Sequence, residues 1–274
     1  MSAPILDLRG AGFGYVSNAR VLSNISFAIH PGEVVALVGR NGAGKSTMLR
    51  LLNGLLRPQE GQVLVQGADS AGMKVAEISR HIGTVFQAPE QQIFNASVES
   101  EIAFGPARMG LTPEEERARI SDAADRCGLT EVMATHPLDL DAARRRFVAL
   151  ASVLACTPAL ILLDEAQRGL DRENRDRLGR IIRDESAQGR AVLLVCHDMD
   201  FVAAHAARVL ALAEGHLIAD LPVADFFADA AATRRASVEQ PGIVELSLAS
   251  LGEVALNARA YADRAAERLR KGKP

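Results

Sequence analysis

The run Gly39-Arg40-Asn41-Gly42-Ala43-Gly44-Lys45-Ser46-Thr47 fits the spacing G-x-x-x-x-G-K-[ST]. Its flanks supply the context that this spacing needs. Before it, Val34-Val35-Ala36-Leu37-Val38 is apolar throughout and predicts a short buried strand. After it, Met48, Leu49, Leu51, Leu52 and Leu55 recur at helical spacing, with Gly54 and Pro58 as stop signals. Strand, glycine loop and helix in this order make a phosphate cradle. Glycine lets backbone N–H groups turn towards phosphate oxygens with no Cβ in the way. The helix start brings its positive end to the same anion. Lys45 then reaches the β- and γ-phosphates, and the Ser46 hydroxyl ligates Mg²⁺. A glycine-rich turn without chemical consequence is outweighed by this context, so the stretch reads as a nucleotide site.

The bulk properties are compatible with one large domain or two modest ones. The chain has 274 residues, 48% of them hydrophobic and 24% charged, which suffices for a sizeable core in an ordinary globule. A net charge of -3 gives no sign of a general nucleic-acid binder. Cys127, Cys156 and Cys196 are scattered without metal-ligand spacing and read as apolar fillers in a reducing compartment. The N-terminus carries no charged-then-apolar signal, and no apolar run is long enough to span a membrane. The nearest candidate, 147–163, is interrupted by Ser152 and Thr157-Pro158. Service to a membrane is therefore expected from its cytoplasmic face.

The rest of the chain arranges further candidates around the loop. Residues 5–33 alternate short apolar and polar runs between Gly, Ser and Asn, the pattern of antiparallel strands. Tyr15 lies there, as a plain strand aromatic or as a platform for an adenine ring. Residues 62–67 predict another strand, and 82–86 one more that ends at Gln87, whose amide suits Mg²⁺ or a water. From about 88 to 155 the character turns helical. Thr112, Pro113 and Glu115 predict an N-cap, a first-turn proline and a capping box. Ile120, Ala123, Ala124 and Cys127 follow at helical spacing and Gly128 ends the run. A second helix is expected from near Asp141 to Ala155, with Arg144-Arg145-Arg146 on it. Leu160 to Leu163 predict a buried strand ending in Asp164 and Glu165. An acid at the end of a strand beside a phosphate loop holds Mg²⁺, the role of Asp164, and the next acid polarises the attacking water. Residues 190–197 predict a strand ending in His197, positioned for a γ-phosphate contact at the same sheet edge. Residues 208–221 predict a hairpin that turns at Glu214-Gly215.

Tyr15, the 39–47 loop, Gln87, a helical insert, Asp164-Glu165, Gly169-Leu170-Asp171 and His197 occur in an order that resembles the ATPase subunit of ABC transporters across residues 5 to about 225. The resemblance implies an α/β, P-loop NTPase (RecA-like) core with an antiparallel β subdomain and a helical insert at about 88–155. It assigns adenine stacking to Tyr15, the Q-loop to Gln87, the catalytic base to Glu165, the D-loop to Asp171 and the switch to His197. Val85-Phe86-Gln87-Ala88-Pro89-Glu90-Gln91-Gln92-Ile93-Phe94 and Glu101-Ile102-Ala103-Phe104-Gly105-Pro106 resemble, more narrowly, the energy-coupling factor importers of vitamins or transition-metal ions. Their ATPases often carry a C-terminal helical extension, which residues 226–274 would form.

One motif departs from the family. The signature Leu-Ser-Gly-Gly-Gln falls on Leu140-Asp141-Ala142-Ala143-Arg144, and Phe147 stands where an arginine is expected. In the family this helix start caps the γ-phosphate held by the opposite subunit. Asp141 still suits an N-cap. Brought within about 4 Å of a phosphate charge it costs on the order of 4 kcal/mol at an effective dielectric of about 20. Ala142 and Ala143 also crowd backbone that glycine leaves open. Ala166 and Gln167, where Pro and Thr are usual, are milder departures. The expectation is an ATP- and Mg²⁺-dependent ATPase that pairs with a second ATPase subunit as a heterodimer. It would drive a transmembrane coupling subunit and its substrate-binding membrane protein from the cytoplasmic face of the cell membrane, and no nucleic acid is expected. Rival readings are the ATPase of another ABC transporter class, an ATP-binding partner with little turnover, and a soluble ABC-type ATPase acting on DNA or ribosomes. The last usually needs a long coiled-coil insert or a tandem cassette, and neither is in the sequence.

Overall fold

The computed structural model describes residues 2–16, 19–88 and 91–270. Pro89 and Glu90 of the stretch after Gln87, and 271–274 of the expected extension, lie outside them. Two sheets organise the chain. Strands β1 (Leu6–Val16), β2 (Ala19–Ile29), β4 (Glu60–Val65) and β5 (Ala68–Asp69) form an antiparallel sheet in the order β2-β1-β4-β5. The larger sheet has six strands: β3 (Val34–Val38), β6 (Ile82–Val85), β7 (Leu160–Asp164), β8 (Ala191–Val195), β9 (Arg208–Ala213) and β10 (His216–Pro222). Its order is β10-β9-β3-β8-β7-β6, and only β10, the second arm of the expected hairpin, runs antiparallel to its neighbour.

The unbroken apolar runs of β3, β7, β8 and β9 follow from burial on both faces. Side chains along a strand alternate faces. Val34, Ala36 and Val38 of β3, with Ile161, Leu163, Val192 and Leu194, pack into one core. Val35 and Leu37, with Leu160, Leu162 and Leu193, pack into the other, against β1, β2 and β4. That second core also takes Met48, Leu49, Leu51 and Leu52 of helix α1 (Lys45–Leu52). Gly54, at φ +76°, turns the chain out of α1, and Leu55 is left outside the helix and half exposed, although its spacing suggested the helical face.

The helical insert packs on the first core. It contains α3 (Val98–Ala103), α4 (Pro113–Cys127) and α5 (Ala142–Leu154). Thr112 and Glu115 close the capping box of α4, and Gly128 ends it at φ +67°. Helix α2 (Val75–His81) and the long helix α6 (Arg172–Ala187) were not singled out from sequence. In α6 the apolar Leu178, Ile181 and Ile182 are spread among arginines and acids. Helix α7 (Met199–His205) follows β8. Helices α8 (Val223–Ala228), α9 (Ala230–Ala236), α10 (Gly242–Leu251) and α11 (Ala258–Arg270) complete the chain. Phe226 and Phe227 of α8 are fully buried in the first core, so the start of this helical segment is continuous with the main sheet's packing.

Candidate nucleotide site

Four loops leave the carboxyl ends of adjacent parallel strands. The glycine loop follows β3, His197 follows β8, Asp164 and Glu165 close β7, and Gln87 follows β6. The register puts Leu37 and Asp164 on either side of Val195, which brings these ends to one level. In such sheets, crevices outside the strand ends are where ligands bind.

The loop's glycines are dictated by its shape. Gly39 lies at φ +145°, and a Cβ there would sit 2.2 Å from the Leu212 carbonyl oxygen. Gly44, at φ +107°, caps α1, where a Cβ would press on Leu22. The fold thus forces bare backbone around the start of α1, a cradle suited to phosphate oxygens. Lys45 is buried, and its Nζ donates to the Gly39 carbonyl at 2.6 Å and the Arg40 carbonyl at 3.0 Å, which hold the ammonium over the loop. Burial lowers its pKa below the ordinary value, opposed by the charges of Glu165 and Asp164. Arg40 points its guanidinium towards Glu214, 3.7 Å away, and Ala43 is buried.

Two adjoining cavities meet at Asn41, Gln87, Glu165 and His197. The smaller, of about 280 Å³, is lined by Gly42, Gly44, Lys45, Ser46, Thr47 and Asp164 as well. The larger, of about 620 Å³, adds Gln167, Arg168, Gly169, Arg175 and Asp198. Glu165 sits at φ +51°, a left-handed conformation that costs a non-glycine residue energy and is common where function fixes the backbone. Gln87 Nε2 donates to its Oε2 at 3.4 Å, and His197 Nε2 lies 3.3 Å from its Oε1. Burial, and then the Lys45 charge, hold the His197 imidazole below its ordinary pKa, although Glu165 pulls the other way.

Asp164 is pushed up to about 6 by burial and by the Glu165 charge beside it, with Lys45 opposing. A cation would relieve that cost. The oxygen donors Ser46, Asp164 and Gln87 share the smaller cavity and suit Mg²⁺. Among the described residues no group of three or more His, Cys, Asp or Glu has metal-holding geometry. Of the three donors only Asp164 is a carboxylate, which suits an ion that takes one or two carboxylates and completes its shell with neutral oxygens, phosphate oxygens and waters.

The remaining candidates lie outside the two cavities. Tyr15 is exposed beside α1, with its hydroxyl 3.3 Å from Thr47 Oγ1 and accepting from Arg50 at 3.2 Å. Asp171 caps α6 by accepting from Asn174 N at 2.9 Å. Asp141 caps α5 in the same manner, accepting from Arg144 N at 2.8 Å, with the Arg144 guanidinium 3.6 Å from its carboxylate. Ala142 and Arg144 are exposed there, while Leu140 is buried. Three side chains of the larger cavity were not singled out from sequence: Arg168, Arg175 and Asp198. Arg175 pairs with Asp198 at 2.6 Å, which joins α6 to the start of α7. Nothing in the spacing of so many arginines distinguished these from solvated charges.

A doubly covered parallel sheet, a glycine cradle at its carboxyl edge and a carboxylate beyond it define a phosphate-loop ATPase. Residues 22–168 match the family described as "ABC transporter". A putative ABC transporter ATP-binding protein of Streptomyces avermitilis is 39% identical over 241 residues, covering 88% of this chain and 91% of the relative. The energy-coupling factor transporter ATP-binding protein EcfA of Methanothermobacter thermautotrophicus is 34% identical over 244 residues, covering 88% of this chain and 78% of the relative. Among solved structures, CbiO1 of Clostridium perfringens, described as part of the ABC transporter complex CbiONQ, matches with a TM-score of 0.78 at 27% identity, over 92% of this chain and 97% of that one. The chain belongs to the ABC transporter family and is an ATPase subunit of it.

Proposed function

We propose that the chain powers a membrane importer of the energy-coupling factor type from the cytoplasmic face, with residues 1–225 as the ATPase domain and 226–274 as a C-terminal helical extension. The observation that carries the catalytic part is the Glu165 carboxylate, set between Gln87 and His197 on the rim of the cavity that holds Lys45 and Ser46. In this reading Tyr15 stacks on the adenine, and Gly39 to Thr47 wrap the phosphates. Lys45 neutralises the β- and γ-oxygens, Glu165 orients the attacking water and takes its proton, and His197 contacts the γ-phosphate. Ser46, Asp164 and Gln87 would hold Mg²⁺, which supplies charge neutralisation when bound.

The helical insert is the proposed link to a transmembrane subunit. Phe94 and Phe104 are partly exposed on the insert and meet edge to face at 4.7 Å, and Phe86, also partly exposed, directly precedes Gln87. Exposed aromatic clusters of this kind mark protein interfaces. Among the described residues no helix is long and apolar enough to cross a membrane, so a separate subunit would supply the channel. The similarity to EcfA and CbiO1 favours the importer class over other ABC transporters.

Asp141 at the exposed start of α5 favours a heterodimer. One composite site would join this chain's Lys45 and Glu165 to a partner's signature, and the other would be capped by Asp141 at the electrostatic cost given above. The test is isolation through a tag on this chain from its own cells, with ATP-dependent uptake measured in vesicles. A second ATPase and a membrane subunit should co-purify, and Lys45→Ala should reduce uptake to background. Recovery of the chain with ribosomes or DNA, or uptake unaffected by Lys45→Ala, would overturn the reading.

A further inference from the structure

Glu165 has a third partner. The Arg168 guanidinium donates to Glu165 Oε2 at 3.3 Å, on the oxygen that Gln87 also contacts. Arg168 N closes a turn on the Glu165 carbonyl at 3.0 Å, so both ends of the contact lie on one tight loop. The Glu165 side chain is mostly buried, at 14% exposure, whereas the Arg168 side chain is 68% exposed and reaches in from the rim of the larger cavity. The loop is also anchored from outside, because the Arg146 guanidinium on α5 donates to the Arg168 carbonyl.

We propose that Arg168 is a positioning residue for ATP hydrolysis: its guanidinium fixes the Glu165 carboxylate opposite His197, and the Arg146 tie couples that position to the helix that starts at Asp141. The proposal rests on the reading of Glu165 as the base. Without Arg168, Oε2 loses one of its two donors and keeps only the Gln87 amide, at 3.4 Å, so a single long contact is left to orient it. A single guanidinium nitrogen makes the contact, so a lysine ammonium of similar reach can also supply it. Misplacing a reacting group by about 1 Å costs up to about 10²-fold in rate, so the loss of one orienting contact is enough to slow hydrolysis.

The test uses the complex isolated through a tag on the full chain, with steady-state kcat and KM for Mg-ATP measured for Arg168→Ala, Arg168→Lys and Glu165→Gln. Arg168→Ala should lower kcat roughly three- to ten-fold with KM changed less than about two-fold, and Arg168→Lys should recover most of the loss. On the Glu165→Gln background, Arg168→Ala should have no further effect, since the two act through one carboxylate. An unchanged or raised kcat in Arg168→Ala, or a loss that Lys does not rescue, overturns the proposal while leaving Glu165 as the base. Normal turnover in Glu165→Gln instead overturns the reading of Glu165 itself.

Discussion

His205 on α7 carries a pH dependence that is separate from the nucleotide-facing cavities. Its ring lies 4.4 Å from Phe201, centroid to centroid, and its Nδ1 is buried with no hydrogen-bond partner. Burial, then the charges of Arg183 and Arg175, push its pKa down to about 4 from the ordinary 6.5. A depressed histidine favours its neutral form in the fold, so the unfolded chain binds the extra proton. Stability from this group is complete above pH 6.5 and is lost as the pH falls towards 4, on the order of 2–3 kcal/mol at the limit. Asp164 acts with the opposite sign, because a carboxyl raised to about 6 is disfavoured as an anion and gains relative stability on acidification. The two are separable. Urea unfolding at pH 7 and pH 5 should show a loss in the unmodified chain that shrinks in His205→Gln. An equal pH dependence in both proteins would mean that His205 is not protonated preferentially in the unfolded chain.

At the scale of elements, α5 is the decisive one. Asp141 makes a good helix cap, and serine caps about as well, so replacing Asp141 by Ser and Ala142 and Ala143 by Gly should cost the helix little. If the start of α5 meets the partner's γ-phosphate, the triple change removes a repulsion of roughly 4 kcal/mol and reopens the backbone. Hydrolysis at that second composite site should rise by about tenfold or more, read in a complex whose other site is silenced by Glu165→Gln. No gain would mean that Arg144, already 3.6 Å from the Asp141 carboxylate, neutralises it, or that α5 does not meet nucleotide. The elements also mark how far the sequence was legible. Strands β3, β7 and β8 were readable because burial on both faces leaves an unbroken apolar run. Helices α4 and α5 were readable from caps that act locally, at Thr112 and Asp141. Helix α6 was not, because its apolar residues are outnumbered by charges. Glu185 there is buried against the nearby Arg190 and against Arg126 of α4, and the second pairing joins distant segments in a way that no local pattern announces. The site followed the same division. Lys45 is legible from the glycine-loop spacing, and Gln87, Asp164, Glu165 and His197 because each lies at or just past the end of a strand; the structure gathers all five around the smaller cavity. Arg168 and Arg175 were missed because only tertiary packing tells a loop arginine at a cavity from one in solvent.

At the scale of the whole molecule, the chain is proposed as half of a machine. In the proposed heterodimer, its loop and Glu165 would complete a working site with a partner's signature, and its own signature would cap a poor one. Both halves of that claim meet in one number, the ATP turnover of the tag-isolated complex carrying Glu165→Gln, with nucleotide binding measured in parallel. Binding should persist, because Lys45 and the glycine loop are untouched. Turnover should fall by about a hundredfold or more, to the small residual rate of the site capped by Asp141. Turnover within about twofold of the unmodified complex would contradict it, because the Lys45–Glu165 site would then not be where ATP is hydrolysed.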